Sequence, residues 1–340
     1  MNAVTYNGEK TLNVVPSHPI APGPGEVRLE VAYCGVCGTD MHIFHGHMDQ
    51  RVAMPQIIGH EVSAVVAELG EGVTNVIVGE KVAVRPLLFG EPAEFDRGFE
   101  HVGKHMKFIG IDRPGGMQGS WTVPAYTLHK LPVDMSLRHG ALIEPAAVAV
   151  HDVRLGEVKV GETCVVIGGG PIGLLIALVA KEKGARVILA EINAKRLDLA
   201  KSLGLEVINP LVGDAAEAVA SLTNGAMADC VFEVSGSAPG VDLMTKLPAA
   251  RGRIVMVAIH PQPREVDLFK FFWSEIRLIG ARLYEAQDFD EAIALVAAGK
   301  VPVEPLITAV HPMANVQSTF EGIAGDPAGV KYLIACGAED

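Results

Sequence analysis

The residues best suited to chemistry are a thiol, an imidazole and two carboxylates from separate parts of the chain. Cys37 is followed by Gly59-His60-Glu61 and then by Glu144-Pro145. Thiolate, imidazole and carboxylate groups bind zinc, and a catalytic zinc keeps one position open for water or substrate. Each residue alone would be weak evidence, because a lone Cys or His is more often an ordinary core or surface residue. Together they predict a catalytic zinc site.

A second pattern has the order that a dinucleotide-binding turn requires. The run Cys164-Val-Val-Ile-Gly168-Gly-Gly170-Pro-Ile172-Gly173 reads as a short apolar strand, a glycine turn and the start of a helix. Gly168 would allow the tight turn, Gly170 the close approach of backbone to a pyrophosphate, and Gly173 the packing of helix on strand. The phosphates would then meet the helix N-terminus, beside Ile172.

The next predicted strand ends on an acid that bears on the choice of cofactor. Arg186-Val-Ile-Leu-Ala-Glu191 places Glu191 where it would accept hydrogen bonds from both hydroxyls of an adenosine ribose. Its carboxylate would repel a 2′-phosphate, so the sequence favours NAD. Arg196, a few residues on, leaves NADP binding open, although it can also belong to a solvated helix face.

Length and composition restrict the class of protein. A chain of 340 residues predicts two domains with room for a sizeable core. The formal charge of -12 argues against nucleic acid or an anionic membrane surface as a partner, because both select for clustered Lys and Arg. Five scattered cysteines fit reduced thiols, no signal peptide is visible, and the apolar run Cys164–Ala180 is short for a span. We therefore expect a cytoplasmic protein that does not cross a membrane.

The pattern of predicted elements changes near the middle of the chain. Up to about Glu144, short β-branched runs such as Glu26–Val31 and Val62–Ala67 are separated by Gly and Pro, which predicts strands. From Glu162 to about Leu283, strands and helices alternate, which is typical of a doubly wound parallel sheet. Elements predicted late in the chain are Asp229–Val234, Arg253–Ala258, Ile276–Leu283, a helix near Phe289–Ala298 and a returning strand Val330–Ala335.

The order of several motifs resembles that of the zinc-dependent medium-chain dehydrogenase/reductases over nearly the whole chain. Within that family the sequence is similar to the polyol (sorbitol), 2,3-butanediol and L-threonine dehydrogenases. The matching stretches are Cys34-Gly-Val-Cys37-Gly-Thr39-Asp40-Met-His42, Gly59-His60-Glu61, Val78-Gly-Glu-Lys-Val82, Lys107-Phe-Ile-Gly110, Glu144-Pro145, the glycine turn and Phe232-Glu-Val-Ser-Gly236. The resemblance implies an α/β fold with a GroES-like β-rich catalytic domain (1–150), an NAD-binding Rossmann domain (151–288) and a C-terminal return to the catalytic domain (289–340).

The resemblance also implies roles for residues around the zinc. Thr39 would be the hydroxyl nearest the substrate oxygen, and His42 would pass the proton onward through the cofactor ribose to solvent. In polyol dehydrogenases the third protein ligand is the glutamate after the histidine, here Glu61, while the later one, here Glu144, contacts the zinc water. Relatives differ on this point, so both glutamates stay open as ligands.

One stretch departs from the family pattern. Many relatives carry four closely spaced cysteines that hold a structural zinc, whereas Leu87–Met106 contains none. The region instead has carboxylates and histidines: Glu91, Glu94, Asp96, Glu100, His101 and His105. A replacement metal site is conceivable, but no ligand spacing recurs, and a solvated acidic loop is favoured. We expect one catalytic zinc per subunit and no structural zinc.

A zinc ion beside a nicotinamide predicts a reaction class. The expected enzyme transfers hydride from a secondary alcohol, such as a polyol, sugar alcohol or vicinal diol, to NAD and yields the ketone. Oxidation of L-threonine is the alternative within the family, and a non-catalytic nucleotide-binding protein is the alternative from another class. The expected partners are a small-molecule alcohol and further copies of the same chain, as a homodimer or homotetramer.

Overall fold

The computed structural model describes residues 1–337, which fall into two compact units. One unit contains Met1–Glu144 and the chain from Glu285 onward, and the other contains Pro145–Tyr284. The predicted domain limits at residues 150 and 288 remain a prediction. Residues 338–340, at the end of the predicted C-terminal segment, lie outside the described part of the chain.

The chain before Pro145 is mainly strand. Its elements are β1 (Asn2–Tyr6), β2 (Leu12–Pro16), β3 (Glu26–Val36), α1 (Gly38–Phe44), β4 (Gln56–Ile57), β5 (Glu61–Leu69), β6 (Lys81–Val84), β7 (Leu87–Leu88), β8 (Lys107–Phe108), β9 (Ser120–Pro124), β10 (Leu128–Lys130), α2 (Leu137–Gly140) and α3 (Ile143–Leu155), which continues into the second unit. Short 3-10 turns cover Glu94–Asp96, Glu100–Val102 and Ala125–Thr127.

The second unit alternates strands with helices. Its elements are β11 (Thr163–Ile167), α4 (Pro171–Glu182), β12 (Arg186–Ala190), α5 (Ala194–Ser202), β13 (Glu206–Ile208), α6 (Ala215–Leu222), β14 (Ala228–Glu233), α7 (Ala238–Met244), β15 (Pro248–Met256), α8 (Leu268–Ser274) and β16 (Arg277–Gly280). The C-terminal part then contains α9 (Ala286–Ala297), β17 (Ile307–Pro312), α10 (Val316–Ala324) and β18 (Lys331–Ala335), with 3-10 turns at Glu304–Leu306 and Met313–Asn315.

The main sheet of the first unit joins the two ends of the chain. Its strands run in the order β10-β6-β5-β3-β18-β17, and β9 also pairs with β3. In β3, Val27, Leu29 and Val31 alternate with more exposed residues and are buried, which is the period of a strand with one face in the core. The returning strand β18 pairs antiparallel with β3, with Ile334 opposite Cys34. Tyr332 lies opposite Val36, so the start of β18 lies beside the segment that leads to Cys37.

The second unit is built on a parallel sheet. Its strands lie in the order β13-β12-β11-β14-β15-β16, and each adjacent pair is parallel. Apolar side chains of β11, such as Val165 and Ile167, are buried in the core, as expected of a strand covered by helices. The strand order reverses between β11 and β14, and α/β proteins bind ligands beyond the carboxyl ends of strands at such a switch point.

The structure confirms the predicted fold class and most of the predicted elements. Strand β12 ends at Ala190, one residue before the predicted end at Glu191, and the returning strand is found as β18. The prediction was wrong at two places in the second unit. The strand predicted from Arg253 already begins at Pro248, and the one predicted to reach Leu283 ends at Gly280. Leu283 has φ +58, which is outside the range of an extended strand. None of the described helices is long and apolar enough to cross a membrane.

Candidate metal centre and cofactor turn

Cys37 is held at the start of helix α1. It occupies the N-cap, where its sulfur accepts a hydrogen bond from the backbone N–H of Thr39 at 3.1 Å. The Asp40 carboxylate accepts the Cys37 backbone N–H at 3.0 Å, which completes a capping box. The helix start therefore fixes the direction of the sulfur through two local hydrogen bonds.

His60 is in direct contact with the Cys37 sulfur. It directly precedes β5, and its Nε2 lies 3.0 Å from the Cys37 sulfur. Its Nδ1 is buried without a hydrogen-bond partner, and so is Oδ1 of Asp40, 3.7 Å away. A histidine that binds metal through one ring nitrogen usually donates the other N–H to a carboxylate. The pair of orphaned atoms has this arrangement, with Nε2 toward Cys37 and Nδ1 toward Asp40.

Burial and neighbouring charges shift the pKa values of Cys37 and His60. Burial raises the pKa of the Cys37 thiol, and His60 offsets that increase only in part. Burial alone would lower the pKa of His60, but Cys37 and Asp40 outweigh it and hold the pKa well above the usual value. A metal must displace these protons, so metal binding releases protons and weakens at low pH.

Glu61 is buried in an ion pair. The Lys331 ammonium, at the start of β18, lies 2.6 Å from both carboxylate oxygens of Glu61 and donates to the Val36 carbonyl at 3.2 Å. Burial lowers the pKa of Lys331, but Glu61 and Cys37 outweigh it and keep the pKa above the usual value, so the ammonium stays charged. A Cβ at position 35 would lie 2.0 Å from Glu61 Oε2, so only glycine fits in the facing part of β3.

Glu144 lies in the first turn of α3 and is buried. Its charge acts on both His60 and Lys331, where it raises the pKa of each. The structure thus brings the four predicted ligands into one electrostatic neighbourhood. Ligand atoms of Cys37, His60 and Glu61 all lie within 4.8 Å of one another, and this is the only such group among residues 1–337.

The donor set fits zinc. The Cys37 sulfur and His60 Nε2 are 3.0 Å apart, and the second imidazole nitrogen faces the Asp40 carboxylate. A carboxylate oxygen of Glu61 lies within 4.8 Å of both ligand atoms, and the charge of Glu144 acts on His60. Zinc bonds of about 2.3 Å to sulfur and about 2.0 Å to nitrogen suit this set. Thr39 lies two residues beyond Cys37 and is half-buried, while His42 lies in the last turn of α1 and is exposed.

The glycine turn has the geometry that the motif predicts. Gly168 follows β11 with φ +106, a value that other residues rarely adopt. A Cβ at Gly173 would lie 1.9 Å from the Gly168 carbonyl oxygen, so helix α4 packs directly on the turn. Gly170 is the N-cap of α4, and a Cβ there would meet nothing closer than 3.9 Å. Ile172 is the second residue of α4. The turn therefore needs Gly168 and Gly173 for its own shape, while the space at Gly170 is open to a ligand.

Glu191 is anchored at the end of β12. Its Oε2 accepts the Gly169 N–H at 2.7 Å, and its Oε1 accepts the N–H groups of Ile192 and Asn193 at 2.6 and 2.7 Å. A carboxylate offers about four lone-pair sites, so these bonds leave roughly one for a ribose hydroxyl. Arg196 Nη1 lies 3.9 Å from Oε2, which places a positive charge beside the predicted ribose site.

The segment Leu87–Met106, which contains no cysteine, is held by hydrogen bonds to the Asp96 carboxylate. The buried Asp96 carboxylate accepts the N–H groups of Ala93 at 2.9 Å and Lys104 at 2.7 Å. Both of its oxygens are therefore engaged by the backbone. His101 is buried with Nδ1 3.9 Å from Glu285. The predicted absence of a structural zinc stays a prediction, and the backbone bonds of Asp96 show how the loop is held.

Two buried charges were given no role at the sequence level. Lys331 stands in an otherwise apolar strand, and Glu233 ends the apolar strand β14. Glu233 is fully buried, accepts the N–H of Ser235 at 3.0 Å, and has its other oxygen 3.0 Å from His260 Nε2. A charge inside an apolar strand was the available signal in both cases, because such a group requires a partner.

Comparison with known proteins places this geometry in a family. Residues 23–133 match the alcohol dehydrogenase GroES-like domain, and residues 171–298 match the zinc-binding dehydrogenase domain. The chain is 53% identical over 340 residues to 2-dehydro-3-deoxy-L-galactonate 5-dehydrogenase of Pseudoalteromonas atlantica, with 100% of each chain covered. It belongs to the zinc-dependent medium-chain alcohol dehydrogenases. The family and the GroES-like and Rossmann domains expected from the sequence are thereby confirmed.

Two other relatives of this dehydrogenase bear on its site. Sorbitol dehydrogenase of Halalkalibacterium halodurans is 33% identical over 323 residues, covering 92% of each chain. A crystal structure from Sinorhizobium meliloti 1021, described as a zinc-binding dehydrogenase bound to NADP, superposes with a TM-score of 0.92 at 29% identity and covers 98% of each chain. Zinc and a nicotinamide cofactor are thus the cofactors of this family.

Proposed function

We propose that the enzyme oxidises a secondary hydroxyl of a sugar acid or polyol to a ketone, with NAD as the hydride acceptor. The observation that carries the proposal is the Cys37–His60 pair, with the orphaned His60 Nδ1 facing Asp40. The substrate class is supported by the 53% identical relative, whose name specifies oxidation at position 5 of a deoxy sugar acid. The 33% identical relative is named for a sugar alcohol.

Each residue has a defined part in the proposed reaction. Bound zinc supplies Lewis acidity that lowers the pKa of a substrate hydroxyl, and bound NAD accepts the hydride. Thr39 would hold the substrate hydroxyl and accept its proton into the hydrogen-bonded chain. His42 would receive that proton. Burial, His47 and His45 lower the pKa of His42, so it is neutral near pH 7 and able to accept.

We propose Glu144 as the third protein ligand beside Cys37 and His60. If Glu61 bound the metal, its ion pair with Lys331 would weaken and leave a buried ammonium poorly neutralised. We expect Glu144→Gln to lose zinc affinity while folding normally. Glu61→Gln should instead lose stability, because Lys331 then has no carboxylate. Zinc content after dialysis against a chelator and urea unfolding of both variants separate these outcomes, and the reverse pattern would make Glu61 the ligand.

NAD is proposed over NADP because the Glu191 carboxylate, held by three backbone N–H groups at the end of β12, would repel a 2′-phosphate. Arg196 lies near Glu191 and would weaken that discrimination, and one structural relative is described as bound to NADP. We expect kcat/KM to favour NAD in the wild type. Arg196→Leu should lower the remaining NADP activity, whereas Glu191→Ala should raise it. Equal use of both cofactors by the wild type would contradict the assignment.

The assembly is proposed to be at least a homodimer through the edge of the parallel sheet. Strand β16 pairs only with β15 within residues 1–337, and no residue of the neighbouring α8 is buried. Leu268, Phe269, Phe272 and Trp273 are each more than half exposed. An unpaired strand edge beside apolar side chains can pair with its own copy around a two-fold axis. Light scattering should show a dimer or tetramer, and Phe272→Glu should shift it toward monomer.

A turnover assay tests the proposal as a whole. NADH formation would be followed with 2-dehydro-3-deoxy-L-galactonate, sorbitol, xylitol, 2,3-butanediol isomers and L-threonine, with zinc determined on the same sample. We expect the sugar acid or a polyol to be the best substrate. L-Threonine stays in the panel as the alternative. Zinc and cofactor binding without turnover of any substrate would favour the non-catalytic alternative. The expected cytoplasmic location, also a proposal, is supported by five free cysteines.

A further inference from the structure

Two histidines at the end of helix α1 share a direct ring contact. His42 lies in the last turn of α1, and its Nδ1 is 3.3 Å from Nδ1 of His47. The ring centroids are 5.6 Å apart, and the His47 backbone N–H donates to the His42 carbonyl at 3.0 Å. The backbone bond fixes the loop that carries His47, so the ring contact belongs to a defined turn.

His45, in the same loop, has a different bonding pattern. Its Nδ1 lies 2.7 Å from the carbonyl oxygen of Met41. A carbonyl only accepts, so His45 must carry its hydrogen on Nδ1 and has no free nitrogen there for His42. Its ring stacks on His47 at 5.9 Å between centroids. His45 is therefore a matched control of the same residue type beside the same two rings.

Two ring nitrogens in contact can form a hydrogen bond only when one carries the hydrogen and the other does not. If His42 carries it on Nδ1, its Nε2 has the lone pair and is the basic nitrogen. We propose that His47 positions His42 in this tautomer and accepts its Nδ1 proton. This inference rests on the proposed function, in which His42 is the acceptor of the proton released by alcohol oxidation.

The proton balance of the step is simple. One proton arrives at His42 Nε2 and makes the imidazolium, and the proton on Nδ1 leaves for Nδ1 of His47. His42 is left neutral with its hydrogen on Nε2, and His47 releases one proton to solvent, to which it is exposed. Exchange of the His42 ring hydrogen with solvent, to which His42 is also exposed, restores the form with hydrogen on Nδ1 before the next turnover. No oxidant or further reactant is needed.

Electrostatics support the same direction of transfer. Burial lowers the pKa of His42, and the neighbouring His47 and His45 lower it further. Asp40, in the same helix, is buried and faces His60. Removing His47 takes away one of the neighbours that lower the pKa of His42, so we expect that pKa to rise. The acid limb of the pH profile for alcohol oxidation, which requires neutral His42, should therefore move to higher pH.

Two substitutions separate positioning from proton acceptance. His47→Asn places an amide oxygen near the former Nδ1, so it can hold the His42 tautomer but cannot take a proton. His47→Ala removes both functions. At neutral pH and low buffer we expect kcat to fall about threefold for His47→Asn and about tenfold for His47→Ala. Added imidazole should restore much of the loss. His45→Gln should give a smaller shift of the acid limb and no rescue by imidazole.

A second measurement does not depend on turnover. Nitrogen-15 NMR of the zinc-loaded enzyme with labelled histidine reports which ring nitrogen of His42 carries hydrogen, with the His42→Gln spectrum as assignment. We expect hydrogen on Nδ1 in the wild type and in His47→Asn, and on Nε2 in His47→Ala. Hydrogen on Nε2 in the wild type, or unchanged rates and pH profile in His47→Ala, would overturn the inference. Loss of turnover with every alcohol, but with the expected tautomers, would overturn the proposed function alone.

Discussion

The candidate metal centre and the glycine turn are built in different ways, one suited to a metal ion and the other to a dinucleotide. The metal centre collects side chains from α1, the start of β5, α3 and β18, and it must balance several buried charges. The glycine turn uses backbone shape from one continuous segment, and its main requirement is the absence of side chains. We infer that substitutions at the metal centre act through charge and metal affinity, whereas those at the turn act through local packing.

The largest effect is expected where the metal centre loses its thiolate. Serine is a poor zinc ligand, so Cys37→Ser should lower zinc content toward zero and kcat by about 1000-fold or more. Metal analysis and turnover on the same preparation test this. Cys34→Ala, in the same motif but buried in β3, should keep its zinc. Full zinc occupancy in Cys37→Ser would contradict the assignment of Cys37 as a zinc ligand.

Removing the buried cation should affect stability more than any change at the turn. Lys331→Met leaves the Glu61 carboxylate buried without its partner, which costs about 3–5 kcal/mol in the free energy of unfolding. Urea unfolding measures the loss. In the double variant Glu61→Gln/Lys331→Met no charge is left unpaired, so much of the stability should return. A double variant no more stable than Lys331→Met would show that the ion pair is not the cause.

A smaller effect is expected from the acid that faces His60. Asp40→Asn keeps the size of the side chain but removes the charge that would accept the His60 N–H, and we expect zinc affinity to fall about 10–100-fold. Competition with a chromophoric chelator measures the change. Asp49→Asn is the matched control, because Asp49 bonds the Tyr6 hydroxyl instead. Equal zinc affinities of the two variants would show that Asp40 does not support zinc binding.

The turn should respond without any change in zinc. In Gly173→Ala the added methyl meets the Gly168 carbonyl, so we expect NAD affinity to fall about tenfold and stability by about 1–3 kcal/mol. Gly170→Ala has room within the protein and should lose affinity while keeping stability. Calorimetric NAD titration and urea unfolding give both quantities. Loss of zinc in Gly173→Ala would contradict the expectation that substitutions at the turn leave zinc binding unchanged.

The same contrast explains what the sequence could predict. The glycine turn and Glu191 lie within one short segment, so their order along the chain was sufficient to predict the strand, turn and helix. The candidate ligands Cys37, His60, Glu61 and Glu144 were recognisable by type and by family resemblance. The Lys331 ion pair was not, because it depends on β18 pairing with β3 across nearly the whole chain. Helix α8 has no buried residue, so no buried apolar stripe marked it in the sequence.

X-ray absorption at the zinc edge, with metal analysis of the same sample, tests the central claim most directly. The account predicts one zinc per chain bound by one sulfur and otherwise by nitrogen and oxygen, with the sulfur contribution lost in Cys37→Ser. An absence of bound zinc after reconstitution, or a zinc bound by several sulfurs, would contradict a catalytic centre built from Cys37, His60 and a glutamate.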